Sequence, residues 1–201
     1  MGIEQTRLDL ELGWRGVPGW FSEDEAMALA RAVRRALPGS AVVELGSWCG
    51  RSLAVAADAL PAGVCLYSVD CYPEVSQAAA EADGQLTAGE ARAMRDQVVE
   101  LWTARGRRIV VQAADAAVAG RAYEGPPVAV LLIDDHHSAE QLKLNLEAWM
   151  PHLAAAADVL LHDYGSLPYG LQPVAQSHLS AAVWWFDGLH GSIGVYRRHA
   201  L

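Results

Sequence analysis

Hydrophobic and polar positions along the chain follow two periods. Short apolar and β-branched runs fit strands, and longer stretches with apolar residues three or four apart fit helices. Ser22-Glu23-Asp24-Glu25, after Phe21, has the form of a capping box and opens a helix to about Leu37, stopped by Pro38-Gly39. A first strand follows at 41–45, a helix at 50–60, a second strand at 64–70 and a helix at 89–105 that ends on Gly106. RRIVVQA makes a third strand, and Pro126-Pro127 introduces VAVLLID, a continuous apolar run of the kind buried on both faces of a parallel sheet. Ser138 caps the next helix, in which Leu142, Leu146, Trp149 and Leu153 fall on one face, and DVLLHDY is the fifth strand. The tail holds two apolar runs around Asp187-Gly188 and His190-Gly191 with no helix between them, which predicts a closing β-hairpin.

Alternating strands and helices predict an α/β protein built on a largely parallel sheet. At 201 residues and 52% hydrophobic content the chain suffices for one sizeable core. We expect a single domain over 1–201, with an N-terminal helical segment (1–40) and a ligand-binding core (41–201). The long connections, Tyr72 to Gly89 and Gly165 to Ala182, lie where substrate sites of such sheets are shaped.

A net charge of -9 and the lack of a basic run argue against nucleic acid as a partner. Three cysteines without paired spacing indicate neither a disulfide framework nor a zinc cluster. The acidic N-terminus lacks the blocks of a signal peptide, and VAVLLI is too short to span a bilayer. A soluble cytoplasmic protein without membrane contacts is expected, and a homo-oligomer is compatible with the sequence.

The stretch AVVELGSWCGRS, residues 41–52, joins the first strand to a helix through a turn with two glycines. Such a turn lets the backbone approach a ligand, and the helix presents free amides to it. A phosphate-binding loop needs a longer spacing and a lysine where Arg51 stands, and a dinucleotide loop needs a second glycine where Trp48 stands. A nucleoside without phosphates fits better. Glu44 and Asp70, at the ends of the first two strands, are suited to hold an amino group and a ribose diol.

ELGSWCGRS, VDCYP and IDDHHSAE followed by LHDY together resemble the class I S-adenosylmethionine-dependent methyltransferases, and within them the small O-methyltransferases related to the macrolide-sugar, cephalosporin-type and catechol enzymes. The resemblance implies a Rossmann-like three-layer α/β/α sandwich with a seven-stranded, mainly parallel sheet and a C-terminal antiparallel hairpin. It implies that Gly46, Ser47, Gly50 and Ser52 surround the amino acid portion of the cofactor with Glu44 in support, and Trp48, which sits inside the same turn, is expected to line the site. Asp70 would bind the ribose, and Ala114-Asp115 would meet the adenine. The acceptor it implies is a hydroxyl of a small molecule, a sugar or phenol of a secondary metabolite.

Asp134 ends the fourth strand and Asp163 the fifth, so neighbouring strands would bring their carboxylates to one sheet edge, where a divalent metal such as Mg or Mn fits. In the resembling enzymes these positions are metal ligands and the histidine corresponding to His137 is the base. Here Asp135-His136 replace the usual glycine and acid, and His162 precedes Asp163 as a further ligand that suits Mn, Fe or Zn better than Mg.

Each of these residues also has a purely structural role open to it. The strand-end acids can brace loops, Asp115 can cap a helix, His137 can belong to the start of the helix capped by Ser138, and His162 can be a hydrogen-bonded interior histidine. Three other functions fit the same pattern: an NAD-dependent oxidoreductase, a protein that binds S-adenosylmethionine without this catalysis, and a Cys49 nucleophile served by His137.

Overall fold

The computed structural model describes residues 10–72 and 86–199. Its seven strands are β1 (Ala41–Leu45), β2 (Cys65–Val69), β3 (Arg108–Gln112), β4 (Val128–Ile133), β5 (Leu153–Leu161), β6 (Trp184–His190) and β7 (Ile193–Arg198). They form one sheet in the order β3-β2-β1-β4-β5-β7-β6. The five strands β1 to β5 are mutually parallel, and β7 joins β5 antiparallel with β6 outermost. This is the Rossmann-like sheet with a terminal hairpin.

Among the described residues six helices cover the two faces: α1 (Glu23–Arg34), α2 (Arg51–Ala59) and α3 (Ala88–Ala104) on one, and α4 (Ala116–Arg121), α5 (Ala139–Trp149) and α6 (Leu171–His178) on the other. A kinked 3-10 segment, Leu10–Gly16, precedes them. The period of two in the strands sorts the core: Val42, Val130, Leu132 and Leu160 face α1 to α3, while Val43, Leu131, Ile133, Val159 and Leu161 face α4 to α6. The expected capping box of Ser22 with Glu25 is formed, and a second one, Thr87 with Glu90, opens α3.

Three sequence expectations change. The apolar stripe of α5 ends at Trp149; a 3-10 turn carrying Pro151 follows, and Leu153 opens β5, which begins five residues earlier than the apolar run from Asp158 predicted. The added residues are an alanine run in which a register break shifts the pairing from Val128 with Leu153 to Val130 with Asp158. The connection 165–182 contains a 3-10 turn and α6. Asp187-Gly188 is a bulge inside β6 while Gly191-Ser192 makes the turn. Most of the connection from Tyr72 to Gly89 lies outside the described residues.

Candidate functional site

At the C-terminal ends of β1, β2, β4 and β5 a cavity of about 750 Å³ opens. That volume is in the range of small-molecule sites. Its floor is the β1–α2 turn. Gly46 and Gly50 adopt φ of 82° and 88°, and Trp48 between them adopts 46°. Gly46 is fixed by packing as well: a Cβ there would lie 2.2 Å from the carbonyl oxygen of Asp134. Trp48 lines the cavity, as does Ser47.

Asp70 holds this turn in place. Its Oδ2 accepts the amides of Ser47 and Trp48, both at 2.9 Å, and its Oδ1 accepts the amide of Tyr72 at 2.8 Å. Three of the roughly four lone-pair positions of a carboxylate are thereby used inside the protein, so the room for a ribose diol is narrower than the sequence implied. The Tyr72 hydroxyl donates to the Trp48 carbonyl at 2.7 Å and closes the bracket.

Glu44 points with Val42 toward α2 and is absent from the cavity wall. Its Oε1 accepts from Ser52 at 2.5 Å and its Oε2 from Ser68 at 3.3 Å. Burial raises its pKa to about 8 against those hydrogen bonds, with Asp134 and Asp70 adding to the rise. Ser52 and Asp115 do line the cavity, and Asp115 also caps α4 by accepting the Val118 amide at 2.9 Å. Cys49 is buried, and burial pushes its thiol up to about 12, which leaves no thiolate to act as a nucleophile at neutral pH.

The other wall comes from β4 and β5. One position beyond the pair Ile133 and Leu161, Asp134 and His162 stand side by side on the face toward α1, with His162 Nδ1 2.9 Å from Asp134 Oδ1. His162 is buried and stacks on Phe21, and its Nε2 is 3.8 Å from Glu25. Despite those short contacts, neither ring nitrogen makes a hydrogen bond of good geometry. Asp163 takes a left-handed φ of 52°, and its Oδ2 reaches His137 Nδ1 at 3.0 Å. His137 Nε2 lies 3.4 Å from Asp134 on its other side, and Tyr169 meets the His137 ring edge-on.

These carboxylates set the basicity of both imidazoles. The pKa of His137 is raised, chiefly by hydrogen bonding to Asp134, against burial. Burial works against charging His162 as well, but Asp134, Asp163 and Glu25 outweigh it and raise its pKa.

Donor atoms of Asp134, His137 and His162 all lie within 4.8 Å of one another. Oxygen and imidazole donors that converge this closely, with buried ring nitrogens lacking hydrogen-bond partners, fit a divalent transition metal. His136 is exposed on the rim. Asp135 is held away by Asn145, whose side-chain amide donates to both its oxygens at 2.9 and 2.8 Å.

Some wall residues carried no functional signal in the sequence. Glu25 was visible only as a capping-box acid, yet its Oε1 accepts the Ser192 amide and hydroxyl at 2.8 and 2.7 Å, a link across 167 residues. Burial is outweighed there by the hydrogen bonds from Ser22 and Ser192, and its pKa is lowered. Arg51, Phe21 and Tyr169 also line the cavity.

Residues 43–164 match the family described as methyltransferase domain. The chain belongs to that family. Methyltransferases of this class take their methyl group from S-adenosylmethionine, and this chain is one of them. No curated protein matches it in sequence. Among solved structures, CalS11, titled a calicheamicin methyltransferase, is 16% identical, with 94% of this chain and 82% of that chain covered and a TM-score of 0.69. A second structure, the apo form of CalS11, is titled TDP-rhamnose 3'-O-methyltransferase; it is 18% identical over 94% and 83%, with a TM-score of 0.66. The O-methyltransferase NovP is 14% identical over 96% and 88%, with a TM-score of 0.64. At these identities the methyltransferase shares their fold. No helix among its described residues is long and apolar enough to cross a membrane.

Proposed function

We propose that the protein methylates a hydroxyl oxygen of a small molecule, a sugar or phenol of a secondary metabolite. The observation that carries this reading is His137, set on the cavity wall between Asp134 and Asp163. The solved neighbours agree with it in their titles, which name O-methylation and, for CalS11, calicheamicin biosynthesis.

The donor supplies an activated methyl group and leaves as a neutral thioether, so the protein has to align the acceptor and manage one proton. The β1–α2 turn, Trp48, Asp70 and Asp115 bound the space for the nucleoside. Asp134, Asp163 and His162 form a site for a divalent metal, Mn in preference to Mg because of the imidazole, and its chemistry when bound is to acidify a hydroxyl. His137 takes the proton, and the two carboxylates beside it make it a stronger acceptor than free imidazole. A second reading makes His137 a ligand in place of Asp163, favoured by the convergence of its nitrogen with Asp134 and His162.

Titration with S-adenosylhomocysteine and turnover on a panel of phenols and sugars test the proposal. Asp134→Ala and His137→Ala should abolish turnover and leave nucleoside affinity within a few-fold. Unchanged turnover in both removes the mechanism, and no affinity in the wild type removes the donor site. A base and a ligand are separated by Mn²⁺ affinity: His137→Ala leaves it unchanged in the first case and weakens it at least tenfold in the second.

A further inference from the structure

The two ring nitrogens of His162 have different surroundings. Nδ1 lies 2.9 Å from Asp134 Oδ1 and 3.6 Å from Asp163 Oδ2, on the side where the donor atoms converge. Nε2 is turned toward α1, where Glu25 Oε1 at 3.8 Å is the nearest carboxylate oxygen to it among the described residues. Nε2 is buried and makes no hydrogen bond, and a buried N–H left without an acceptor is costly. The ring itself is held in plane by Phe21, stacked on it with centroids 5.8 Å and planes 17° apart.

Glu25 is fixed more firmly than a helix cap requires. The Ser22 amide donates to its Oε2 at 2.6 Å, and the Ser192 amide and hydroxyl donate to its Oε1 at 2.8 and 2.7 Å. Gly191 makes room for it: a Cβ there would stand 2.8 Å from Glu25 Cγ and 2.9 Å from Oε1. Glu90 completes the same kind of capping box while partly exposed, whereas Glu25 is buried against the site. The Ser192 hydroxyl also accepts the Asp163 amide at 3.3 Å. One acid from α1 thus reaches both residues that follow β5, facing His162 directly and bracing Asp163 through Ser192.

We propose that Glu25 is a positioning residue of the metal site, its carboxylate meeting the Nε2 proton of His162 and so leaving the Nδ1 lone pair for the metal. The assignment rests on the metal site proposed above. When a cation takes the Nδ1 side, a neutral imidazole keeps its one proton on Nε2, and Glu25 is the carboxylate that faces it there. A carboxylate behind a ligating histidine selects the tautomer, orients the ring and strengthens the ligand, and losing such a partner weakens metal binding by about 10- to 100-fold.

Mn²⁺ titration followed through the EPR signal of the free ion tests it on the wild type, Glu25→Gln and Glu25→Asp. Glutamine keeps the side-chain length and can still complete a capping box, but it lacks the charge. Aspartate keeps the charge and draws it back by one carbon. Glu25→Gln should weaken Mn²⁺ at least tenfold and Glu25→Asp at least fivefold, while calorimetry finds S-adenosylhomocysteine affinity within twofold of the wild type, which shows that the variants are folded. Glu25→Gln is then repeated on His162→Asp, which offers the metal an oxygen and has no ring proton to hold; there it should change Mn²⁺ affinity by less than twofold. Wild-type Mn²⁺ affinity in the Glu25 variants overturns the assignment. So does an equal loss with and without the His162 ring, because Glu25 then acts only through its charge or through the fold. Should Glu25→Gln lose the nucleoside as well, Glu25→Asp decides on the same criteria. A wild type that takes up no Mn²⁺ defeats the metal reading itself, an outcome distinct from unchanged uptake in the variants.

Discussion

The Asp70 carboxylate accepts the backbone amide of Trp48 at 2.9 Å, and Trp48 is one of three residues other than glycine with a left-handed φ among those described. A bulky residue in that conformation is unfavourable by about 1–3 kcal/mol and persists only where its surroundings hold it. The hydrogen bonds from Ser47, Trp48 and Tyr72 to one carboxylate supply that hold, so the turn that shapes the nucleoside space depends on an acid from the neighbouring strand.

Asp70→Asn should therefore damage binding through the backbone. An amide has a single acceptor oxygen, so its NH2 group would face either the Tyr72 amide or those of Ser47 and Trp48, donor against donor. The expected outcome is a loss of about 1–3 kcal/mol in urea unfolding, with at least a tenfold drop in S-adenosylhomocysteine affinity. A variant with wild-type stability and weakened binding would instead assign Asp70 to direct ligand contact.

Gly46→Ala makes a separate prediction at the same turn. The added methyl group would meet the Asp134 carbonyl oxygen at 2.2 Å and require a φ of 82°. The contact is with backbone, which has no flexible end to move aside, and the affected strand end carries Asp134. Expression yield or the urea midpoint should fall steeply, by more than about 3 kcal/mol where measurable. Near-native stability would mean that the β1 and β4 ends can separate without cost.

How legible these features were in the sequence depends on how local their causes are. The sheet, the Ser22–Glu25 capping box and the hairpin were readable because apolar period, caps and turn residues act over a few positions. That Asp134 and Asp163 come to one sheet edge was accessible too, once β4 and β5 were taken as neighbours; His137 between them is what the structure adds. That His162 stands level with Asp134 was not, because it follows from the parallel register, which no single segment encodes. Glu25 reaches the site through a contact with Ser192, and its capping role already explained it locally. The third acceptor contact of Asp70 comes from Tyr72, which carried no signal beyond marking the start of a loop.

Asp134 and His162, the two donors common to both readings of the metal site, predict metal-linked stability. A ligand that binds the folded state at a hundred times its Kd stabilises by about 2.7 kcal/mol. Mn²⁺ should raise the melting temperature of the wild type, EDTA should reverse the rise, and His162→Ala and Asp134→Asn should each remove most of it. Equal shifts in all three proteins would place the metal elsewhere.

Glu44 gives a pH dependence whose sign runs opposite to that of a salt-bridged acid. Its pKa is about 8 in the folded protein, raised mainly by burial, against 4.5 for the unperturbed group. Between these values the folded state binds a proton that the unfolded state releases, so stability falls as pH rises. The slope approaches about 1.4 kcal/mol per pH unit at most. Above the folded pKa the loss is complete, and below the unfolded pKa it vanishes. Glu44→Gln keeps the shape and an acceptor for Ser52 without an ionisable proton. It should match the wild type near pH 4.5, where both are neutral when folded, and exceed it increasingly from there to pH 8 in urea melts. A difference that stays constant over that range would mean that Glu44 is charged in the folded protein, compensated by a partner other than Ser52 and Ser68.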